Sequence, residues 1–93
     1  MQPLVSVLMP VYNSESYIVA AVQSILKQTY SNFELLILDD GSTDNSLALV
    51  QAIADPRIRI IADGQNLRQP RRYNQGVQLA RGTYIAIMHA DDI

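Results

Sequence analysis

Two pairs of adjacent aspartates, each placed after a short apolar run, are the residues of this chain best suited to chemistry. Asp39 and Asp40 follow one such run, and Asp91 and Asp92 follow another near the end of the chain. Adjacent carboxylates repel each other and resist leaving water, so they are poor choices for stability alone. A bound cation, or a ligand that donates hydrogen bonds, would compensate. We therefore look for a binding site at these positions.

The composition narrows the classes of function. The chain has 93 residues, 48% of them hydrophobic, and a formal net charge of −2, which is typical of a globular protein. Its basic cluster is Arg68, Arg71 and Arg72, which argues against nucleic-acid binding because that needs a basic face. The lack of cysteine excludes disulfides and thiolate metal sites. We expect a single domain over residues 1–93.

Targeting signals are not visible. No apolar run approaches the roughly 20 residues that span a membrane, and the start at Met1-Gln2-Pro3-Leu4 lacks the basic region of a signal peptide. We expect a cytoplasmic protein, and membrane association of a longer form is left open.

Strand and helix patterns alternate along the chain and must position the acidic pairs. Four apolar runs predict strands, the first of them closed by Pro10: Leu4–Met9, Phe33–Leu38, residues 58–61 and Thr83–Met88. Three helices are predicted between them: one that starts at residues 13–15 and ends near Gln28, one lined by Leu47, Val50 and Ala54 and stopped by Asp55-Pro56, and one over Pro70–Ala80 with Tyr73, Val77 and Ala80 on its buried face.

This order predicts an α/β fold, a Rossmann-like parallel sheet with flanking helices. In such sheets the ligand site lies beyond the carboxyl ends of the strands, and both acidic pairs are placed there. The chain contains neither a P-loop nor the glycine fingerprint of dinucleotide-binding folds. A different kind of nucleotide site is therefore expected.

Several segments carry a resemblance to a known family: Val5–Asn13, Ser24–Tyr30, Glu34–Asp44, Asn74-Gln75-Gly76, Ala80–Ile85 and Ala90-Asp91-Asp92. In their order and spacing the chain resembles the family 2 glycosyltransferases, which have the GT-A nucleotide-sugar fold. The resemblance covers essentially the whole chain. It implies that the chain is a truncated form of this fold, namely its N-terminal, donor-binding half.

The resemblance implies a nucleotide site made of Pro10, Tyr12, Asp39, Asp40 and Arg68. Tyr12 would lie against the base, and Asp40 would accept the N–H of a uracil or thymine imide. Asp39 would support the nucleoside pocket. Arg68 stands where some members place a phosphate-contacting residue and many have glycine.

The resemblance also implies a divalent cation, Mg²⁺ or Mn²⁺, that stabilises the departing diphosphate. Asp91 and Asp92 match the region of the family's D-x-D metal motif. His89 stands where the family commonly has an acid. A neutral imidazole can bind Mn²⁺ but is a poor Mg²⁺ ligand, so His89 is either a third ligand or a partly buried histidine that holds no metal.

By this resemblance the function is transfer of a sugar from a UDP- or dTDP-sugar to an acceptor hydroxyl, with inversion. The acceptor would be a saccharide or a lipid-linked molecule, bound by the full-length protein. The catalytic base is expected beyond Ile93, so the chain alone would bind the donor and transfer nothing. An uncovered edge strand also predicts self-association.

Other interpretations remain open at this point. Asp40-Gly41-Ser42 could be a turn that caps a helix, and Asp91-Asp92 could begin one. The arginine cluster is most simply a solvated face. A receiver-like signalling module or a non-catalytic nucleotide-binding domain would also carry acids at strand ends.

Overall fold

The computed structural model describes residues 3–28 and 30–88 of the chain. Strands and helices alternate in the order β1 (Val5–Val11), α1 (Ile18–Leu26), β2 (Phe33–Asp39), α2 (Ser46–Gln51), β3 (Ile58–Ala62), α3 (Gln69–Leu79) and β4 (Tyr84–Ile87). In this part of the chain the strands form a sheet in the order β3-β2-β1-β4, and neighbouring strands are parallel. The predicted α/β, Rossmann-like sheet with flanking helices is confirmed.

Strand β2 lies in the middle of the core, and all of its residues are buried. Leu35 and Ile37 pack in one apolar cluster with residues of α1 and α2. Leu36 and Leu38 pack on the other face, which α3 covers. Burying each such side chain stabilises the fold by about 1.5–3 kcal/mol. Packing on both faces of β2 therefore fixes the position of its last residue, Asp39.

The first strand is longer than predicted. It passes through Pro10 and ends at Val11, which pairs with Asp39. Backbone groups of residues two apart in a strand point to the same side, so Pro10 points toward β4, as Leu8 does. Leu8 is the last β1 residue whose pairing with β4 is described. The missing N–H of Pro10 therefore breaks no described ladder bond.

The start predicted for α1 is wrong. The helix runs from Ile18 to Leu26 and no side chain caps its first turn. Of the expected caps, Asn13 accepts the N–H of Thr43 in the loop that follows β2, and the N–H of Ser14 donates to Ser46 Oγ at the start of α2. Their polar groups join the segment after β1 to the segment after β2 and do not begin a helix.

Helix α2 is shorter than predicted. Of the expected apolar residues, Val50 is buried, Leu47 is half-buried and Ala54 is exposed beyond the helix. The carboxylate of Asp55 accepts the backbone N–H of Arg57 at 2.9 Å. This turn leads the chain into β3.

Helix α3 matches its predicted bounds within a residue at each end, but its predicted buried face is wrong. The helix buries Arg72 and Gly76, whereas Val77 is exposed and Tyr73 half-buried. A Cβ atom on Gly76 would lie 2.9 Å from methyl groups of the leucines beneath it. Glycine therefore allows the close approach of α3 to the sheet.

Strand β4 is shorter than its predicted range of Thr83–Met88, and its residues are exposed. Because an exposed edge strand can pair with another chain, self-association stays a prediction.

Within residues 3–28 and 30–88, no helix has the length and apolar character needed to cross a bilayer.

Candidate functional site

The carboxyl ends of three neighbouring strands meet at one rim of the sheet. Val11 at the end of β1 pairs with Asp39 at the end of β2, which pairs with Ala62 at the end of β3. The N–H of Asp40 donates to the carbonyl of Val11 at 2.8 Å. Residues that follow these strands are thus neighbours in space: Tyr12 and Asn13 after β1, Asp40 after β2, and Asp63 after β3.

Asn13 fastens the loop after β1 to the loop after β2. It has a φ of 47°, in the left-handed region that asparagine tolerates better than most residues. Its Oδ1 accepts the N–H of Thr43 at 2.8 Å and that of Asp44 at 3.3 Å. Its own N–H donates to Ser42 Oγ at 3.0 Å. These bonds fix the backbone next to Tyr12.

Tyr12 presents an aromatic ring at this rim. It is 51% exposed, although Pro10 and Val11, directly before it, are buried. An exposed ring at the end of a buried strand adds little to the core, and its flat face can stack on a base. The structure therefore places Pro10 beneath the rim and Tyr12 on it, while nucleotide contact by either stays a prediction.

The carboxylate of Asp40 is buried and organises the loop before α3. Oδ1 accepts the N–H of Leu67 at 2.6 Å and the Nε–H of Arg72 at 2.8 Å, and Oδ2 accepts the N–H of Arg68 at 3.1 Å. Burial raises the pKa of Asp40, but these hydrogen bonds outweigh it and hold the pKa below its usual value. A carboxylate offers about four acceptor positions, so the described residues leave one position, on Oδ2.

Arg72 ties Asp40 to the loop after β3. Its side chain is 0% exposed. Beyond Asp40, its guanidinium donates to both carboxylate oxygens of Asp63 at 2.8 and 3.2 Å, to Gln75 Oε1 at 2.9 Å and to the carbonyl of Gln65 at 2.5 Å. Each N–H of the guanidinium therefore has a protein acceptor, and none is left for a ligand.

The prediction of a solvated arginine face is wrong for Arg72, although Arg68 and Arg71 are exposed. One signal in the sequence could have found this. Arg72 and Gly76 are one helical turn apart and so share a face, and a glycine marks the face that packs closely. The charge of Arg72, taken alone, predicts that the residue faces solvent, which is wrong.

Asp63 holds the outer end of this network. Its side chain is 36% exposed, and its Oδ1 also accepts the N–H of Gln65 at 3.0 Å. The hydrogen bond from Arg72 is the main cause that lowers the pKa of Asp63 to about 2. The segment from Asp63 to Arg68 is thus wrapped around a buried cation.

Asp39 bonds on the opposite face of the sheet from Asp40. Its Oδ2 accepts the N–H of Ser42 at 3.3 Å, whereas Oδ1 is buried and has no hydrogen-bond partner among the residues that the structure describes. Successive side chains in a strand point to opposite faces, so adjacency does not bring the two carboxylates to one spot. The two carboxylates therefore have different surroundings, and the described residues leave an acceptor position open on each.

Arg68 has an unusual backbone conformation, with φ 74° and ψ 160°. This region is essentially reserved for glycine and costs a side chain about 1–3 kcal/mol. The position is the one where many members of the resembled family have glycine. Its N–H bond to Asp40 and its carbonyl, which accepts the N–H of Arg72 at 3.2 Å, hold it there. Phosphate contact by its exposed side chain stays a prediction.

The predicted metal ligands Asp91, Asp92 and His89 lie outside the described residues. In the parts of the chain that are described, no group of three or more histidine, aspartate or glutamate residues could hold a metal ion. The Mg²⁺ or Mn²⁺ site therefore stays a prediction.

A third buried acid, Glu34, lies at the other end of β2 and was missed by sequence reasoning. Its Oε2 accepts the hydroxyl of Ser6 and the N–H of Arg81, both at 2.6 Å, and its Oε1 accepts Nη1–H of Arg59 at 2.8 Å. Burial raises the pKa of Glu34, but these bonds bring it below its usual value. The one signal was an acid inside an otherwise apolar strand.

Comparisons with known proteins reveal relatives along the whole chain. The family described as glycosyl transferase family 2 matches residues 6–93. The chain is 42% identical over 100% of its length to the glycosyltransferase GlyG of Streptococcus pneumoniae serotype 4, and covers 32% of that protein. It is 41% identical over 97% of its length to the UDP-Glc:alpha-D-GlcNAc-diphosphoundecaprenol beta-1,3-glucosyltransferase WfgD of Escherichia coli, and covers 36% of it.

A solved structure agrees with this. The mannosyltransferase PcManGT from Pyrobaculum calidifontis, in complex with GDP-Man and Mn²⁺, superposes with a TM-score of 0.89 at 25% identity, over 98% of this chain and 28% of that one. The predicted GT-A fold is therefore confirmed, and the receiver-like alternative is set aside. The chain spans 32% and 36% of the length of the two curated relatives. By sequence and by fold, the chain belongs to glycosyl transferase family 2.

Proposed function

We propose that this chain is the nucleotide-sugar-binding half of a glycosyltransferase, over residues 1–93. The whole protein would transfer a sugar from a UDP- or dTDP-sugar to an acceptor hydroxyl, with inversion. The observation that carries the proposal is the exposed ring of Tyr12 at the same rim as a buried, ionised Asp40, on which the described residues leave one acceptor position. An aromatic face and a hydrogen-bond acceptor are what a pyrimidine base requires.

In this proposal the base stacks on Tyr12, a contact worth about 1–3 kcal/mol. Asp40 Oδ2 accepts the imide N–H of uracil or thymine. Asp39 supports the pocket through its bond to the N–H of Ser42, and Pro10 forms its floor. Arg68, with its exposed side chain, would contact the diphosphate.

We further propose that Mg²⁺ or Mn²⁺ takes part, with Asp91 and Asp92 as ligands and His89 as a third candidate. The complex of PcManGT with GDP-Man and Mn²⁺ supports a metal in this family. When bound, the cation would neutralise charge on the departing diphosphate.

The acceptor would be bound outside these residues, as would the base that removes its proton, because the chain spans only 32% and 36% of its two curated relatives. The name of WfgD includes a diphosphoundecaprenol acceptor. A saccharide or a lipid-linked saccharide is therefore the acceptor class that we propose for the full-length protein.

Calorimetric titration of the chain with UDP and Mn²⁺ tests the donor site. We expect weak binding that Asp40→Asn reduces about tenfold, because about 1.4 kcal/mol is lost with one charge-assisted hydrogen bond. Tyr12→Ala should cause a similar loss. The matched controls are Glu34→Gln and Tyr84→Ala, a buried acid and an exposed tyrosine away from the rim. No binding at millimolar UDP by folded protein would refute the proposal.

A further inference from the structure

The acceptor positions of Asp40 are not equally available to a ligand. Oδ1 already accepts hydrogen bonds from the N–H of Leu67 and from Nε–H of Arg72, at 2.6 and 2.8 Å. Among the described residues, Oδ2 accepts a hydrogen bond from the N–H of Arg68 alone. Because an oxygen of a carboxylate has about two acceptor positions, Oδ1 is filled and Oδ2 can take one more donor. The Asp40 side chain is 8% exposed.

Arg72 keeps Asp40 in this state. It is fully buried, and its guanidinium is held on its far side by Asp63, Gln75 and the carbonyl of Gln65. The side chain cannot swing away from Asp40 without breaking these bonds. Nor can it contact a base itself, since each of its N–H groups is already used. Asp40 therefore meets a ligand with one acceptor, in a fixed direction.

Bases differ in how many donors they offer to a carboxylate. Uracil and thymine present one imide N–H between two carbonyls. Guanine presents two adjacent donors, N1–H and the 2-amino group, which need both oxygens of a carboxylate. With Oδ1 filled, the second donor of guanine would lose its water and gain no partner, and this is costly.

We propose that Arg72 is a positioning residue that sets the base preference of this site. By filling Oδ1 of Asp40 it selects bases with a single donor, uracil or thymine, and disfavours guanine. The proposal rests on the proposed function and deepens it. Family membership alone does not choose the base, because the names of the relatives include both UDP-Glc and GDP-Man.

Competition among nucleoside diphosphates tests this. We expect UDP and dTDP to bind at least about fivefold more tightly than GDP, the lower bound for one unsatisfied donor. Inosine diphosphate is the matched control for purine size, because it lacks only the 2-amino group of GDP. It should bind more tightly than GDP. Equal binding of GDP and UDP, or of GDP and inosine diphosphate, would overturn the inference.

The same experiment separates this inference from the proposed function. If none of the nucleotides binds to folded protein, the proposed function fails. If all bind equally, the donor site stands and only the role of Arg72 fails.

Substitution of Arg72 then tests the role of the residue itself. In Arg72→Lys, whose single ammonium cannot bridge Asp40 and Asp63, the ratio of UDP to GDP affinity should fall at least about threefold; Arg71→Lys, an exposed neighbour, should keep it. A purely structural role would lower the melting temperature and leave the ratio unchanged, which would refute the proposal. Should Arg72→Lys not fold, Asp63→Asn loosens the same guanidinium from its exposed end, and an unchanged ratio there would count equally against it.

Discussion

Each end of strand β2 carries a buried acid paired with an arginine, but the two acids hold different parts of the structure. Glu34 at one end and Asp40 at the other are buried acids on the α3 face, each paired with an arginine at 2.8 Å. The donors to Glu34 come from β1, β3 and the segment between α3 and β4. In the described part of the chain, those to the carboxylate of Asp40 come from residues 67–72. Glu34 joins separate elements, whereas Asp40 holds one continuous segment, the end of the loop before α3 and the first turn of that helix.

Backbone conformation separates the two ends further. All described residues with positive φ lie in the loops after β1, β2 and β3: Asn13, Gly41, Gly64 and Arg68. Strained conformations concentrate at functional sites because rigid surroundings must hold them. At this same rim lie an exposed aromatic ring and a carboxylate oxygen that has no hydrogen-bond partner in residues 3–28 and 30–88. The Glu34 end has the features of a structural joint, and the Asp40 end has those of a binding site.

The largest expected effect comes from removing the arginine at each end. Arg72→Met should cost about 3–5 kcal/mol of unfolding free energy, because it leaves a buried carboxylate without its cation. Arg59→Met should cost about 1 kcal/mol or less, since the Arg59 side chain is 28% exposed and water can replace it. Urea denaturation measures both. Equal losses would show that burial does not distinguish the two ends.

The rim should also respond to acid. The pKa of Asp63 is lowered from 3.8 to about 2 in the folded chain, so folding is favoured when Asp63 is ionised. This contribution is complete above the unfolded pKa and is lost as the pH falls through the folded one. The stability difference between the native chain and Asp63→Asn should therefore be constant near neutral pH and shrink between pH 4 and 2. Because Asp63 is 36% exposed, we expect this stability difference to be small. A difference that persists at pH 2 would contradict the ion pair.

The smallest effect is expected from the strained backbone at Arg68. Arg68→Gly should raise the unfolding free energy by about 1 kcal/mol, because glycine relieves the strain at φ 74°. Arg71→Gly removes the same side chain from inside α3 and should instead lower it by about 1 kcal/mol. Thermal or urea unfolding compares the two. A loss in both variants would mean that no strain is stored at the rim.

Local patterns account for most of the fold. The apolar run of β2 predicts a doubly covered strand, and the alternation of strands and helices predicts the parallel sheet and the rim where its ends meet. The bounds of α3 also follow from local signals. These features depend on residues close together in the chain, where periodicity and turn chemistry decide the outcome.

The site depends on partners far apart in the chain, and there the sequence was less informative. Arg72 is charged and looks solvated until its pairing with Asp40 is known. Asn13 has the chemistry of a helix cap, yet Thr43 and Asp44 use it to join two loops. No local pattern predicts that Oδ1 of Asp40 already accepts two hydrogen bonds, because the donors come from α3 and the loop before it.

The most direct test of the account is an NMR titration of the ¹⁵N-labelled chain with UDP. We expect the amide signals of Tyr12, Asn13, Asp40 and Ser42 to shift with one common dissociation constant, while those of Ser6, Glu34 and Arg81 stay unchanged. Absence of shifts at millimolar UDP, or shifts concentrated around Glu34, would contradict the claim that the Asp40 end of β2 is the nucleotide site.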